Sequence, residues 1–342
     1  MVIGAIIIGS AAQPAMAGAG DIGQQNAIVE DPLGFVEVMG RSVMERMVDR
    51  FLAADIEMVS VLADPQVVLP SFCQSSDKVI AHVVADMRSA LSRTLEDYSE
   101  QGIGLTFVVH ANVYAECDLI DWIWFHRGTR QGITRSCDSN GGLDFWVVDC
   151  AKRQSIDISL LLEDKERFDG SRYFISEYAS QIATPSDLRR LVTDVFRESC
   201  KMRPAGREIR PGVWIEAGAQ IHRRARIVAP AYIGRGTRVR EDTLITRCSN
   251  VESSCYVDYG TVVDDSSILT NSYVGIWLDV SNVVVKGNRL ANVRRNVTLE
   301  ISDPSVMREN MALAQKPRRP STMRASARIR FSAHRDDQQA AG

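Results

Sequence analysis

The sequence predicts an α/β domain followed by a parallel β-helix. Three observations carry this. Apolar strand-like runs alternate with helical patterns up to about residue 185. An aliphatic residue then recurs every six positions from Ile215 to Leu269. The composition is that of an ordinary folded chain: 342 residues, 45% hydrophobic and 24% charged, enough for about two domains with normal cores.

The first element is the run Val2–Ile8, read as a buried strand. The stretch that follows, "GSAAQPAMAGAGD", has the small residues of a turn at a strand exit. Ala15, Met16 and Ala17 look like a signal-peptidase site, but the first basic residue is Arg41, and a secretory signal needs a positive segment at its start. Next comes a helix over Arg41–Asp55, with Val43, Met47, Val48, Phe51 and Leu52 on one face. A strand at Ile56–Leu62, a helix over Asp77–Gly102, a strand at Ile103–His110 and a helix over Cys117–Gly128 follow. Weaker strands are expected at Asp144–Asp149 and Ile156–Leu162. Near-continuous apolar strands separated by helices imply a parallel sheet covered on both faces. The segment Pro185–Cys200 reads as a helix capped by Thr184 or Ser186.

The six-residue register runs Ile215, Ile221, Ile227, Ile233, Val239, Ile245, Val251, Val257, Val263, Leu269. Four residues after each stands Ala219, Ala225, Ala231, Thr237, Thr243, Ser249, Cys255, Thr261, Ser267 and Tyr273, and all but the last are small. A lone strand alternates every two residues and has no reason to repeat at six. Hexapeptide coils do, with the aliphatic residue inside a triangular prism and the small one near a corner. The register is expected to fail at Gly275, with an irregular last coil closing the end. From about Met311 the chain is basic and poor in apolar residues, and residues 311–342 read as a disordered tail.

Several function classes drop out on composition. The net charge of -3 gives no overall pull toward nucleic acid. No apolar run reaches the ~18 residues that span a bilayer. The seven cysteines are odd in number and form no C-x-x-C pair, which argues against a disulfide framework or zinc ribbon and for reduced, packed thiols.

Several of these segments resemble one family. "PLGFVEVMGRSVMERMVDRFLAADIEMVSVL" (Pro32–Leu62) is similar to the segment of sugar-1-phosphate nucleotidyltransferases in which a Pro-Lys-Pro run leads to a Gly, a helix and a second strand. "FVVHANVYAECDLIDWIWFHR" (Phe107–Arg127) resembles their strand ending in Gly-Asp. A C-terminal hexapeptide β-helix completes the likeness, which covers most of residues 1–310. The resemblance implies a Rossmann-like, GT-A-like nucleotidyltransferase domain over residues 1–185, a helix and linker over 186–212, and a left-handed β-helix over 213–300.

The family's chemistry is attack of a sugar 1-phosphate on the α-phosphate of a nucleoside triphosphate. It needs a Gly-rich loop with an Arg, a Lys after the loop, and a carboxylate holding Mg²⁺. In this sequence the matched loop positions are Ala11, Gln13 and Ala15, the Lys falls on Leu33, and the Gly-Asp pair falls on Ala111 and Asn112. All three charged contributors are absent, and no basic residue precedes Arg41. The resemblance therefore implies a nucleotidyltransferase-like protein, weak or inactive as a pyrophosphorylase, tied to bacterial polysaccharide or envelope precursors and cytoplasmic. Gly9, Ser10, Ala11 and Asn112 are its candidate nucleotide- or sugar-binding residues. Mg²⁺ is the cofactor only if the protein is active. The expected partners are a sugar nucleotide or sugar phosphate, and a second copy through the β-helix. The alternatives are a non-catalytic scaffold or sugar-nucleotide-binding regulator and, behind these, a hexapeptide acyltransferase.

Other residues are weighed on their own chemistry. His222, the one His of the repeat region, follows an inward aliphatic and should face solvent. His110 ends a core strand, where a hydrogen-bonded structural role is favoured over ligand contact. Trp122 and Trp124 read as packing, and Asp118 and Asp121 as helix-start charges. For Asp144 and Asp149 a solvated strand end is favoured over a second metal carboxylate, and Arg207 and Arg210 read as ion-pair partners at the domain junction.

Overall fold

Strand β1 (Val2–Gly9) is the axis of the first half of the computed structural model, which describes residues 2–10, 28, 33–67, 69, 77–163 and 165–310. The signal-like Ala15–Ala17, Cys73 and the 311–342 tail lie outside these residues. β1 pairs in parallel with β2 (Met58–Ala63) on one side and β4 (Ile103–His110) on the other, and β2 pairs in parallel with β3 (Val79–Val83). Ile6, Ile7 and Ile8 are all buried, so β1 is covered on both faces and its sequence shows no polar alternation.

The rest of the sheet differs from the all-parallel expectation. β5 (Ile133–Asp138) and β6 (Gly141–Asp149) form a hairpin, and β6 enters antiparallel to β4. β7 (Arg172–Phe174) is added in parallel outside β5, giving the order β7-β5-β6-β4-β1-β2-β3. The hairpin turn is set locally. Asp138 Oδ1 accepts the Asn140 and Gly141 N–H groups at 2.8 and 3.0 Å, and Gly141 takes φ 140°, a conformation that favours glycine.

Helix α1 (Val43–Ala53) is capped by the Ser42 hydroxyl and buries Met44, Met47 and Phe51. The helix expected over Asp77–Gly102 splits. Its first part is the edge strand β3, and α2 (Met87–Glu100) begins only where Asp86 accepts the N–H groups of Arg88 and Ser89. Helix α3 (Leu119–Thr129) is capped by Asp118. The strand expected at Ile156–Leu162 is not one. Asp157 accepts the Ser159 N–H at 3.0 Å and turns the chain into the single-turn helix α4 (Ser159–Leu162). Helix α5 (Pro185–Phe196) starts at a capping box between Thr184 and Asp187.

Both sheet faces are packed. One carries Phe51, Phe107, Trp122 and Phe145, with the Trp122 and Phe145 rings 4.7 Å apart edge to face. The other carries Ile6, Leu91, Tyr98 and Trp146. Trp122 is core, as expected. Trp124 is not, being 66% exposed.

From Val213 the chain forms three sheets of short parallel strands stacked in turn. The first pairings join residues eighteen apart: Val213 with Ala231, Gln220 with Arg238, Arg226 with Leu244. Ile233, Val239, Ile245, Val251, Val257 and Val263 fill the interior. Ile215 and Ile221 are half-buried at the open end. The small positions do more than save space. Thr237 Oγ1 donates to the Glu252 carbonyl at 2.6 Å and Thr243 Oγ1 to the Asp258 carbonyl at 3.1 Å, so corner carbonyls are satisfied by the coil before them.

The six-residue register slips earlier than Gly275. Asn250 pairs with Ser267 and Val251 with Ile268, one residue short of eighteen. Ile268 and Val274 therefore face the interior, and Leu269 faces the core shared with the α/β layers. Ser266 takes over the small corner position and donates to the Val280 carbonyl at 3.1 Å. Tyr273, the large residue among the small ones, is the mark of this slip in the sequence. Strand Met307–Glu309 returns antiparallel onto Ser272–Val274.

The two halves are joined by buried polar groups. Arg189 of α5 donates to Asn250 Oδ1, Ser267 Oγ, the Cys248 carbonyl and Asp265 Oδ1. Glu252, fully buried, accepts the N–H groups of Met39 and Gly40 at 2.7 and 3.0 Å. The junction role expected of Arg207 and Arg210 is not theirs. Strand Arg207–Arg210 is exposed throughout, and Arg210 bonds the Ile227 carbonyl of a neighbouring coil.

Candidate functional site

In an open α/β sheet, ligands bind beyond the carboxyl ends of the parallel strands. Here that edge is made by Gly9 at the end of β1 and Ser10 after it, Asp64 after β2, and His110, Ala111 and Asn112 at the end of β4. The register holds them together: Ala111 N–H donates to the Ile8 carbonyl at 2.8 Å, and Asp64 N–H to the Gly9 carbonyl at 3.1 Å. Gly9, Ser10 and Asn112 thus stand at one edge, as the sequence implied. Ala11 and Ala15 lie outside the described residues.

The edge is closed by the chain itself. The 3₁₀ turn Leu33–Phe35 lies across it. Phe35 is buried, and a Cβ on Gly9 would collide with its ring. A Cβ on Gly34 would collide with the Ala111 carbonyl and the Asn112 N–H. Glycine at 9 and 34 is what lets an aromatic ring and a turn sit against the carboxyl edge of the sheet. Leu33, at the matched lysine position, packs against the core.

Asn112 is half-buried. Its Nδ2 donates to the Ile182 carbonyl at 3.3 Å, and its buried Oδ1 accepts no hydrogen bond from the described residues. Beside it His110 is buried, with Nε2 2.8 Å from the Leu161 carbonyl. Burial, reinforced by Lys165, pushes its pKa down to about 4, so it is neutral at pH 7 and structural.

Asp144 overturns the solvated strand-end reading. Only 5% exposed, it receives Arg135 at 3.2 Å, Lys165 Nζ at 2.6 Å and Gln181 Nε2 at 2.6 Å. Burial alone would raise its pKa. The positive charges of His110, which is protonated only below about pH 4, of Lys165 and of Arg135 outweigh this and hold it below the usual carboxylate range. The Arg135 guanidinium also lies over the Trp146 ring at 4.8 Å. Asp149 instead caps the following 3₁₀ turn and pairs with Lys152 at 3.3 Å.

Mg²⁺ needs several oxygen ligands with charge among them. Asn112 brings no charge, and Asp144 is consumed by three donors. No three acidic, His or Cys side chains converge among the described residues. The donor set among the described residues does not fit a resident Mg²⁺.

Behind Asp144 lies a cleft of about 480 Å³ between the β5–β6 turn, the strand Ala179–Gln181 and α5. Asp138, Asn140, Tyr178, Ser180, Gln181, Arg190 and Asp194 line it. Tyr178 donates to Asp194 at 2.8 Å and Arg190 to Asp187 at 2.9 Å. These groups suit a hydroxyl-rich ligand and supply no nucleophile paired with a base. Sequence reasoning missed this cleft, whose one visible signal was the Asp-Ser-Asn-Gly turn at 138–141. On the coils, His222 is part-exposed, with Nε2 3.9 Å from Glu241 beside Arg224.

Comparison with known proteins adds little. No family model matches the chain, and no curated protein matches it. Among solved structures, it is similar to a protein from Bacillus anthracis described as a glucose-1-phosphate thymidylyltransferase, in complex with a sucrose. The TM-score is 0.39 and the identity 10%, over 55% of this chain and 93% of that one. It is likewise similar to HddC from Yersinia pseudotuberculosis, with a TM-score of 0.38 and 11% identity, over 55% of this chain and 96% of that one. Neither likeness decides the chemistry. No described helix is long and apolar enough to cross a membrane.

Proposed function

We propose that this chain is a nucleotidyltransferase-like protein that does not transfer nucleotides and has kept the binding of a sugar nucleotide or sugar phosphate. One observation carries the reading: the Phe35 ring occupies the space over Gly9 at the strand exit, and the turn at Gly34 lies on Ala111 and Asn112. The neutral residues Leu33 and Asn112 agree with it. Two phosphate-bearing substrates held without compensating charge repel each other and raise the barrier. Loss of one preorganised charge-stabilising group already costs about 10²–10³ in rate. The sugar portion is assigned to the cleft at Tyr178, Ser180 and Arg190.

The eighteen-residue offset and the three stacked sheets support a left-handed parallel β-helix over residues 213–300. A role in bacterial polysaccharide precursor supply, in the cytoplasm, belongs to the same reading. The deciding assay is pyrophosphate release over a panel of sugar 1-phosphates and nucleoside triphosphates with Mg²⁺ and Mn²⁺. No turnover is expected. A rate of about 1 s⁻¹ or more, in the ordinary enzyme range, contradicts the proposal. Calorimetry with the corresponding sugar nucleotides should show binding that Arg190→Ala weakens.

A further inference from the structure

Helix α3 is apolar on both sides. Its inner face buries Leu119, Trp122, Ile123 and His126. Its outer face shows Ile120 63% exposed, Trp124 66% and Phe125 37%. Helices α1 and α5, by contrast, turn charged residues outward. An exposed apolar patch on the outer face of an already packed helix calls for cover. Ile120, Trp124 and Gly128 stand four residues apart, on one stripe. A Cβ at Gly128 would meet nothing within 4 Å, so the absent side chain leaves a shallow notch one turn from the exposed indole.

The charges around this stripe are ordered. Asp118 and Asp121 stand exposed at its amino end, Arg127 and Arg130 at its carboxyl end. Asp121 accepts the Tyr173 hydroxyl at 2.7 Å, and the Arg127 guanidinium lies 5.7 Å from the Trp124 ring. A helix with acid at one end, base at the other and an apolar centre is complementary to itself when turned end for end. That is the symmetry of a two-fold interface, in which one patch meets its own copy.

We propose that the outer face of α3 binds a second copy of this chain, the two α3 helices packing antiparallel. Trp124 lies at the axis, Ile120 sits at the partner's Gly128, and Asp121 faces the partner's Arg127. An exposed Trp beside an Arg is the composition of an interface centre. A bound anionic membrane would want a basic face, and this one is balanced. The assignment differs from the association through residues 213–300 that the sequence suggested, where Ile276 and Trp277 are the most exposed of the large apolar side chains.

The test is sedimentation equilibrium of the full chain from about 1 to 100 µM, a range that covers modest affinities. A monomer–dimer equilibrium is expected. Trp124→Ala should raise the dissociation constant at least tenfold, and Trp277→Ala should leave it unchanged. Arg127→Glu should weaken the dimer, and adding Asp121→Lys should restore it. Gly128→Leu fills the notch and should also weaken the dimer. It replaces a helix glycine, so the thermal midpoint of the dilute monomer should hold or rise, which separates lost contact from lost fold. A chain that stays monomeric at 100 µM overturns the proposal. So does a dimer that Trp124→Ala leaves equally tight, or one that Trp277→Ala dissolves.

Discussion

Arg189 is the cation that ties α5 to the three-sheet stack, and its removal should be the most costly polar change at the junction. It is 5% exposed and makes four hydrogen bonds, at 3.1 Å to Asn250, 2.9 Å to Ser267, 3.0 Å to the Cys248 carbonyl and 2.7 Å to Asp265. In Arg189→Ala, Asp265 can return to water because its side chain is 44% exposed. Asn250 Oδ1 keeps the Ser267 hydroxyl as a donor, and the Cys248 carbonyl loses the guanidinium. A buried acceptor deprived of its donor costs about 1–3 kcal/mol, and the buried stem of the side chain is lost as well. The sum is about 3–5 kcal/mol, the usual range for removing one partner from a buried charged network. Asp265→Asn, at the exposed end of the same network, should cost no more than about 1 kcal/mol. Urea unfolding at pH 7, followed by fluorescence and circular dichroism to test two-state behaviour, measures both. The reasoning fails if Arg189→Ala lies within about 1 kcal/mol of the parent, or if the two variants cost the same.

Ile227→Asp places a carboxylate in the interior of the stack, where Ile227 is 6% exposed, and should cost several kcal/mol, about 3 or more, in the same unfolding assay. Tyr98→Phe removes the hydroxyl that bonds the Ala5 carbonyl at 3.0 Å and Ser60 Oγ at 2.7 Å under the sheet, and should lower stability by about 1–2 kcal/mol. Burial pushes Glu252 up to about 8, while Glu37 adds like charge. The folded chain therefore keeps a proton that the unfolded chain has released, and this stability is lost as pH rises through the folded value. His110 and His126, both pushed down to about 4 mainly by burial, act in the opposite sense below about pH 6.5. The clean window is therefore about pH 7–8.5, where the urea midpoint should fall with rising pH. Glu37→Gln keeps an acceptor for the Ser253 hydroxyl, 2.6 Å away, removes one acidic neighbour, and should make that fall shallower; a midpoint that rises across the window contradicts the argument.

The stack was legible because its constraint is repetitive and local. Every sixth residue must fill a narrow interior, and one residue between must be small. Val239, Ile245, Val251 and Val257, with Thr237, Thr243, Ser249 and Cys255, show this without any partner being known. The cap of α5 was equally local, since the Thr184 side chain accepts the Asp187 N–H three residues on. The tertiary structure alone decided the rest, because the deciding contacts lie far apart in sequence. Val79–Val83 reads as helix in isolation and becomes a strand because β2 offers it a free edge. The hairpin of β5 and β6 could have entered the sheet in either direction, and packing against β4 made β6 antiparallel. Asp144 resembled a solvated end until Arg135, Lys165 and Gln181, from three separate segments, closed around it. The sequence by itself showed that Leu33 and Asn112, the positions singled out by the family resemblance, carry no charge. That Phe35 fills the space over Gly9 required the fold, since a ring and a glycine 26 residues apart become neighbours only when the turn at Leu33–Phe35 lies across the sheet edge.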